Sequence, residues 1–176
     1  ISFYIMDNSG WNKEFEKLIN EQISFEMHAF YEYYNMSLYF SRGDVALDKL
    51  SVYFKKLSDE EKEHADMFAS YQHKRGGSVI LHDIKEPLFS VSTEDTMEGN
   101  DILRAFEKSL AMEKKIYINL LDLHSKAELD PHLAGFIESE FLTEQIDAMH
   151  GLGKIISNIK RIGNNNVWEF IHTFNK

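Results

Sequence analysis

The chain has 176 residues, 43% of them hydrophobic, with 13 Phe and 8 Tyr; this is enough for one domain with a real core and excludes a disordered segment. A formal net charge of −10 argues against nucleic acid and against an anionic membrane surface as partners, and favours cations. There is no cysteine, which excludes disulfides, thiolate zinc sites and iron–sulfur clusters, and no apolar run is long enough to span a bilayer.

Only two prolines and nine glycines interrupt the chain, which leaves room for long helices. Residues 1–11 have no clear period and read as a surface arm. A helical period then runs over about 12–41, with the apolar stripe Phe15, Ile19, Ile23, Glu26, Phe30, Tyr33. Ser41-Arg42-Gly43-Asp44 is a break, with Asp44 as a candidate cap for the next helix. That helix spans about 47–75 and carries Leu47, Leu50, Phe54, Leu57, Glu61, His64, Phe68 and Tyr71; Gly76-Gly77 ends it.

Residues 78–99 form a connection of some 20 residues, extended at its start. A compact domain rarely needs that length, but a bundle does when the third helix must run parallel to the second. The third helix covers about 100–126, with Ile102, Phe106, Ser109, Glu113, Tyr117 and Leu120 on one face. Asp130-Pro131 is a strong helix start, an N-cap followed by proline in the first turn. The fourth helix is predicted over about 131–161, with the stripe Leu133, Ile137, Phe141, Glu144 or Gln145, Ala148, Leu152, Ile155. After Gly163 to Asn166, the segment 167–174 reads as a short apolar helix that must dock on something to be stable. The predicted fold is all-α: a single domain over 1–176, with four bundled helices, a long crossover between the second and third, and a short fifth helix.

The informative anomaly lies in the stripes. Glu26, Glu61, His64, Glu113 and Glu144 or Gln145 occupy positions that should be apolar. An unpaired buried carboxylate is expensive, so it takes up a proton, finds a partner or binds a metal. Carboxylates converging from separate helices on one histidine form a metal site of the kind built inside helix bundles. Glu61-x-x-His64 puts both groups on one helix face. A mixed carboxylate and imidazole shell suits iron. Two other readings stay open from the residues alone: a di-iron oxygenase, and a metal-free signalling bundle. No second Glu-x-x-His exists on the fourth helix, where Asp147 follows Glu144 by three. That absence leaves one metal position poorer in ligands and favours iron that passes through over iron that stays.

Seven stretches then carry a family resemblance: ISFEMHAFYEYY, FSRGDVALDKL, SDEEKEHADMF, HKRGGSVILHDIKEP, LAMEKKIY, DPHLAGFIESEFLTEQ and IGNNNVWEFI. They resemble eukaryotic ferritin of the heavy, ferroxidase-bearing type over nearly the whole chain beyond the first dozen residues. The resemblance implies a 24-chain shell, homomeric or mixed with another ferritin subunit, around a stored ferric mineral. It implies oxidation of two Fe(II) by O2. Glu26, Glu61 and His64 would hold the first iron, and Glu61 would bridge to a second that adds Glu113. Gln145 would lie alongside, with Glu144 nearby and Tyr33 as the family's site tyrosine. Glu60, Glu63 and Asp66 match an acidic inner-surface patch. Glu138 matches one carboxylate of the inlet channel, whose usual second carboxylate falls here on Gly135; Asp130, Glu128 and His124 are the nearby substitutes. A cytoplasmic location is expected, with a secreted or yolk location as the alternative because the connection at 88–99 is enlarged.

Overall fold

The computed structural model describes residues 11–90, 100–163, 166, 167 and 171. Among the described residues, five α-helical segments make four rods: α1 (Lys13–Phe40), α2 (Asp48–Lys74), α3 (Asn100–Lys126), and a fourth rod made of α4 (Pro131–Ile137) and α5 (Thr143–Ile162). The architecture is all-α, with a long non-helical connection between α2 and α3. None of the helices among the described residues is long and apolar enough to cross a membrane.

Local chemistry sets the helix ends. The side chain of Asn12 accepts from the backbone N–H of Glu14 at 2.8 Å, and Glu14 and Glu16 place negative charge in the first turn of α1. α2 ends in a paired C-cap: Gly77 N–H donates to Gln72 O and Gly76 N–H to His73 O, both at 2.9 Å, with Gly76 at φ 81°. A Cβ on Gly77 would come within 2.6 Å of Trp11 Nε1 and 2.8 Å of Gln72 Oε1, so this turn also needs the second glycine for space. Asp130 caps α4 as expected, accepting from Leu133 N–H at 3.0 Å, with Pro131 in the first turn.

The expected cap at Asp44 is not formed. α2 starts after Leu47 with no side-chain cap, and Asp44 instead pairs with Arg42. The reason is the turn: Ala46 adopts φ 53° and the backbone closes by Leu47 N–H donating to Phe40 O at 3.0 Å, which carries Asp44 away from the first turn of α2.

The fourth rod also differs from the single helix predicted over 131–161. Glu138–Leu142 form a π turn between α4 and α5. The buried residues Leu133, Ile137, Phe141 and Gln145 are spaced four apart. In a regular α-helix each step of four overshoots a full turn by about 40°. The wider turn absorbs that overshoot and keeps all four on the bundle axis.

The long connection is strapped along α1. Asn20 donates to Ser78 O and accepts from Ile80 N–H; His28 Nε2 accepts from Lys85 N–H; Glu32 accepts from the N–H groups of Leu88 and Phe89; Asn35 donates to Phe89 O. One polar stripe of α1 therefore satisfies a backbone that has no strand partner. Residues 91–99, with Glu94, Asp95 and Glu98, lie outside the described residues, as does most of the predicted helix over 167–174. Of that last segment, Val167 and Ile171 are buried against the bundle.

Two apolar clusters fill the interior. One holds Tyr33, Phe40, Phe54, Phe106, Leu152 and their neighbours. The other holds Phe15, Ile23, Phe68, Leu120, Ile137, Phe141 and theirs. On every rod, the polar residues that break the stripes fall between these clusters.

Candidate metal centre

Glu26 on α1, Glu61 on α2, Glu113 on α3 and Gln145 on α5 are all buried, with relative exposures of 1%, 6%, 3% and 5%. His64 stands one turn from Glu61, its ring edge-on to Phe141 at 5.5 Å. Donor atoms of Glu26, Glu61 and His64 lie within 4.8 Å of one another, a span that one cation with bonds of about 2.0–2.6 Å can bridge.

The layer is short of positive charge. Burial pushes the Glu26 carboxyl well up from its ordinary range, and the charge of Glu61 adds to this. Glu61 is likewise raised, by burial first and then by Glu113. Glu113 is raised by burial, against the opposing effect of hydrogen bonds from Tyr33 and Gln145. Gln22 Nε2 donates to Glu26 Oε1 at 2.7 Å, but Glu26 Oε2 is buried with no hydrogen-bond partner among the described residues. Such an orphaned acceptor calls for a cation or a proton. Oxygen donors with one imidazole fit a hard or borderline divalent ion.

Glu113 is held differently. The Tyr33 hydroxyl donates to Oε1 and Gln145 Nε2 donates to Oε2 and, at 3.2 Å, to the Glu113 carbonyl. Tyr33 is fully buried with its ring stacked on Phe54 at 6.2 Å, and burial and Glu113 raise its pKa. The structure thus assembles Glu26, Glu61 and His64 into one cluster and presents Glu113 beside it, oriented by two donors.

The family model for the ferritin-like domain matches residues 16–162. This chain belongs to the ferritin family. It is 40% identical over 156 residues to the middle subunit of ferritin from Aquarana catesbeiana, covering 88% of this chain and 85% of that one. It is 42% identical over 156 residues to the soma ferritin of Lymnaea stagnalis, covering 88% and 86%. It is 44% identical over 158 residues to the chloroplastic ferritin-1 of Brassica napus, of which it spans 61%.

The remaining sequence candidates sit at the edges. Glu144 is exposed and reaches inward only to His64, its Oε2 lying 3.4 Å from Nε2. The π turn explains why Gln145, and not Glu144, enters the layer. Glu60 pairs with Lys56 at 3.2 Å and Asp66 pairs with Lys62, while Glu63 is exposed between them. Glu138 is exposed on the π turn and accepts from His124 Nε2 at 2.6 Å. Gly135 has open space where a Cβ would stand. Asp130 is engaged by Arg75 and by its own capping bond.

Two residues of the layer escaped the sequence reading. Gln22 looked like an ordinary polar position, yet it lies one turn before Glu26 and its amide is buried against it. Tyr53 is pushed up to about 12, first by burial and then by Glu60 and Glu113. The signal for Gln22 was its i, i+4 spacing to a carboxylate already in a stripe.

Proposed function

We propose that this chain is a ferroxidase-bearing subunit of an iron-storing ferritin cage. The observation that carries the reading is the buried layer of three carboxyls and one imidazole, drawn from three helices, with no lysine or arginine paired to those carboxyls among the described residues and one orphaned carboxylate oxygen.

In this reading the iron is the substrate. Glu26, Glu61 and His64 hold one Fe(II), and Glu61 together with Glu113 holds a second. The carboxyls leave the site negative enough to attract both ions and to favour the ferric state. Two Fe(II) supply two electrons to O2, which takes up two protons and leaves as hydrogen peroxide. Tyr33 and Gln145 keep Glu113 aimed at the second position by donating to its two oxygens. Glu144, at the rim, is a carboxylate by which ferric ion leaves. Glu60, Glu63 and Asp66 receive it and start the mineral, and Glu138 lies on the way in.

Assembly into a 24-chain shell, homomeric or with a second ferritin subunit, is part of the same proposal. Tyr31, Leu38, Val52, Ile80, Leu81 and Leu88 are exposed on α1, α2 and the strap, more apolar surface than a lone chain needs there.

Stopped-flow absorbance after adding Fe(II) to the aerobic, metal-free protein tests the chemistry. A fast ferric signal in the parent, slowed at least about 100-fold in Glu61→Ala/His64→Ala, is expected. Equal, slow signals in both would refute the ferroxidase reading. Size-exclusion chromatography tests the shell, which elutes hundreds of kilodaltons above the 20.6 kDa chain; a monomer refutes it.

A further inference from the structure

The turn between α1 and α2 is held by its flanks. Phe40 and Leu47 are buried in one of the two apolar clusters, and Leu47 N–H donates to Phe40 O at 3.0 Å across the base of the turn. At the tip, Val45 N–H and Ala46 N–H both donate to Arg42 O, at 3.0 and 2.7 Å. Gly43 and Asp44 are thus the two corner residues of a hydrogen-bonded β-turn. Residues 41–44 are all exposed.

The fold itself does not call for the residues at this tip. Asp44 leaves α2 uncapped. A Cβ on Gly43 would meet nothing within 4 Å, and Gly43 is not among the glycines of positive φ, so neither space nor backbone conformation requires glycine there. Among the described residues, the partners of the Arg42 side chain are the face of Tyr39, 5.5 Å from the ring centroid, and Asp44, with Nε 3.0 Å from Oδ1. The two charged side chains are 53% and 65% exposed, and an ion pair so open to water yields readily to a competing partner.

Arg42-Gly43-Asp44 is therefore a guanidinium and a carboxylate separated by a glycine, carried on a rigid and exposed turn. That tripeptide is the recognition element of integrin-class adhesion receptors. The carboxylate completes the oxygen shell of a divalent cation on the receptor, and the guanidinium forks onto receptor carboxylates. The glycine lets the receptor surface approach the backbone between them.

We propose that the α1–α2 turn is a docking site for a divalent-cation-dependent adhesion receptor of the integrin class. Because Phe40 and Leu47 already anchor the turn, the ordering cost of binding falls on the side chains of Arg42 and Asp44 rather than on the backbone. The inference is independent of the metal centre. It places the meeting outside the cell, in keeping with the secreted location named above as the alternative.

Surface plasmon resonance tests it, with the assembled protein immobilised and an integrin ectodomain of the Arg-Gly-Asp-recognising group in solution with Mg²⁺; a soluble monovalent receptor keeps avidity out of the reading. Saturable binding is expected, abolished by EDTA and competed by the peptide GRGDS but not by GRGES. Asp44→Glu keeps the charge and moves the carboxylate by one methylene; it should weaken binding at least about tenfold, and Arg42→Gln should do the same. All of these substitutions lie on exposed side chains, and unchanged elution on size exclusion checks that the fold is kept. Absence of binding by the parent, binding that survives EDTA, competition by both peptides alike, or undiminished binding by Asp44→Glu would each overturn the proposal.

Discussion

Asp130 and Glu61 are both carboxyls drawn into helix packing, and their proton affinities move in opposite directions. Asp130 receives two bonds from the Arg75 guanidinium, which also stacks over Trp11 at 4.3 Å, and its pKa is lowered, chiefly by Arg75. Glu61 faces Glu26 and Glu113, and its pKa is raised, chiefly by burial. The first corner contains its own cation and joins the end of α2 to the start of α4. The second has the His64 imidazole 3.5 Å from Glu61 but, among the described residues, no guanidinium or ammonium group paired with it, and its carboxyl neighbours increase the deficit. A carboxylate that folding neutralises is structural; a group of carboxylates that folding leaves unneutralised is arranged for a cation from outside.

The comparison is broken most directly at Glu61. Glu61→Gln should slow Fe(II) oxidation at least about 100-fold while making the metal-free protein more stable by about 1–3 kcal/mol, since it removes one buried charge. Stopped-flow oxidation and urea unfolding of the same preparation report both signs. A variant that is slower and also less stable would mean that Glu61 is paired in the metal-free state. Arg75→Ala should act the other way. It should destabilise by about 1–2 kcal/mol through lost charge-assisted bonds and the stack on Trp11, with oxidation unchanged.

The pH dependence sharpens the same contrast. In the metal-free fold, Glu26, Glu61 and Glu113 retain protons to a higher pH than in the unfolded chain. Their contribution is present below the ordinary carboxylate range and is lost as pH rises through the raised values. Asp130 contributes with the opposite sign: its stabilisation is present above the ordinary range and is lost on acidification through the lowered value. As pH rises from the ordinary carboxylate range through the raised values, the stability of the metal-free parent should therefore fall relative to Glu61→Gln. Parallel melting curves would remove the charge deficit as the explanation. The smallest effect is expected at the inlet. A Cβ at Gly135 meets nothing within 4 Å, so Gly135→Asp fits. It should raise the initial iron uptake rate about twofold at low ionic strength and less at high salt. No acceleration would count against a charge-guided inlet at Glu138.

The stripes on α1, α2 and α3 were legible because each is a regular α-helix, and a period of 3.6 then names the inward face without further knowledge. Glu26, Glu61, His64 and Glu113 appear as polar residues in those stripes, and the structure places three of them in one cluster. The fourth rod was only half legible. Its stripe fitted Glu144 and Gln145 equally well until the π turn at Glu138–Leu142 rotated Gln145 inward and left Glu144 at the rim. A π turn has no residue signature of its own; packing selects it.

The amino-acid order by itself determined that the chain is helical, where the first two rods lie to within a residue or two, and which faces carry charge into the core, because these depend on neighbours three or four residues away. Only the tertiary structure decided that Tyr33 and Gln145 hold Glu113, that Gln72 pairs with Trp11, and that Asn20, His28, Glu32 and Asn35 carry the strap. Most of those partners lie 54 to 80 residues apart. Such pairings are set by the packing of whole helices, which no local period encodes.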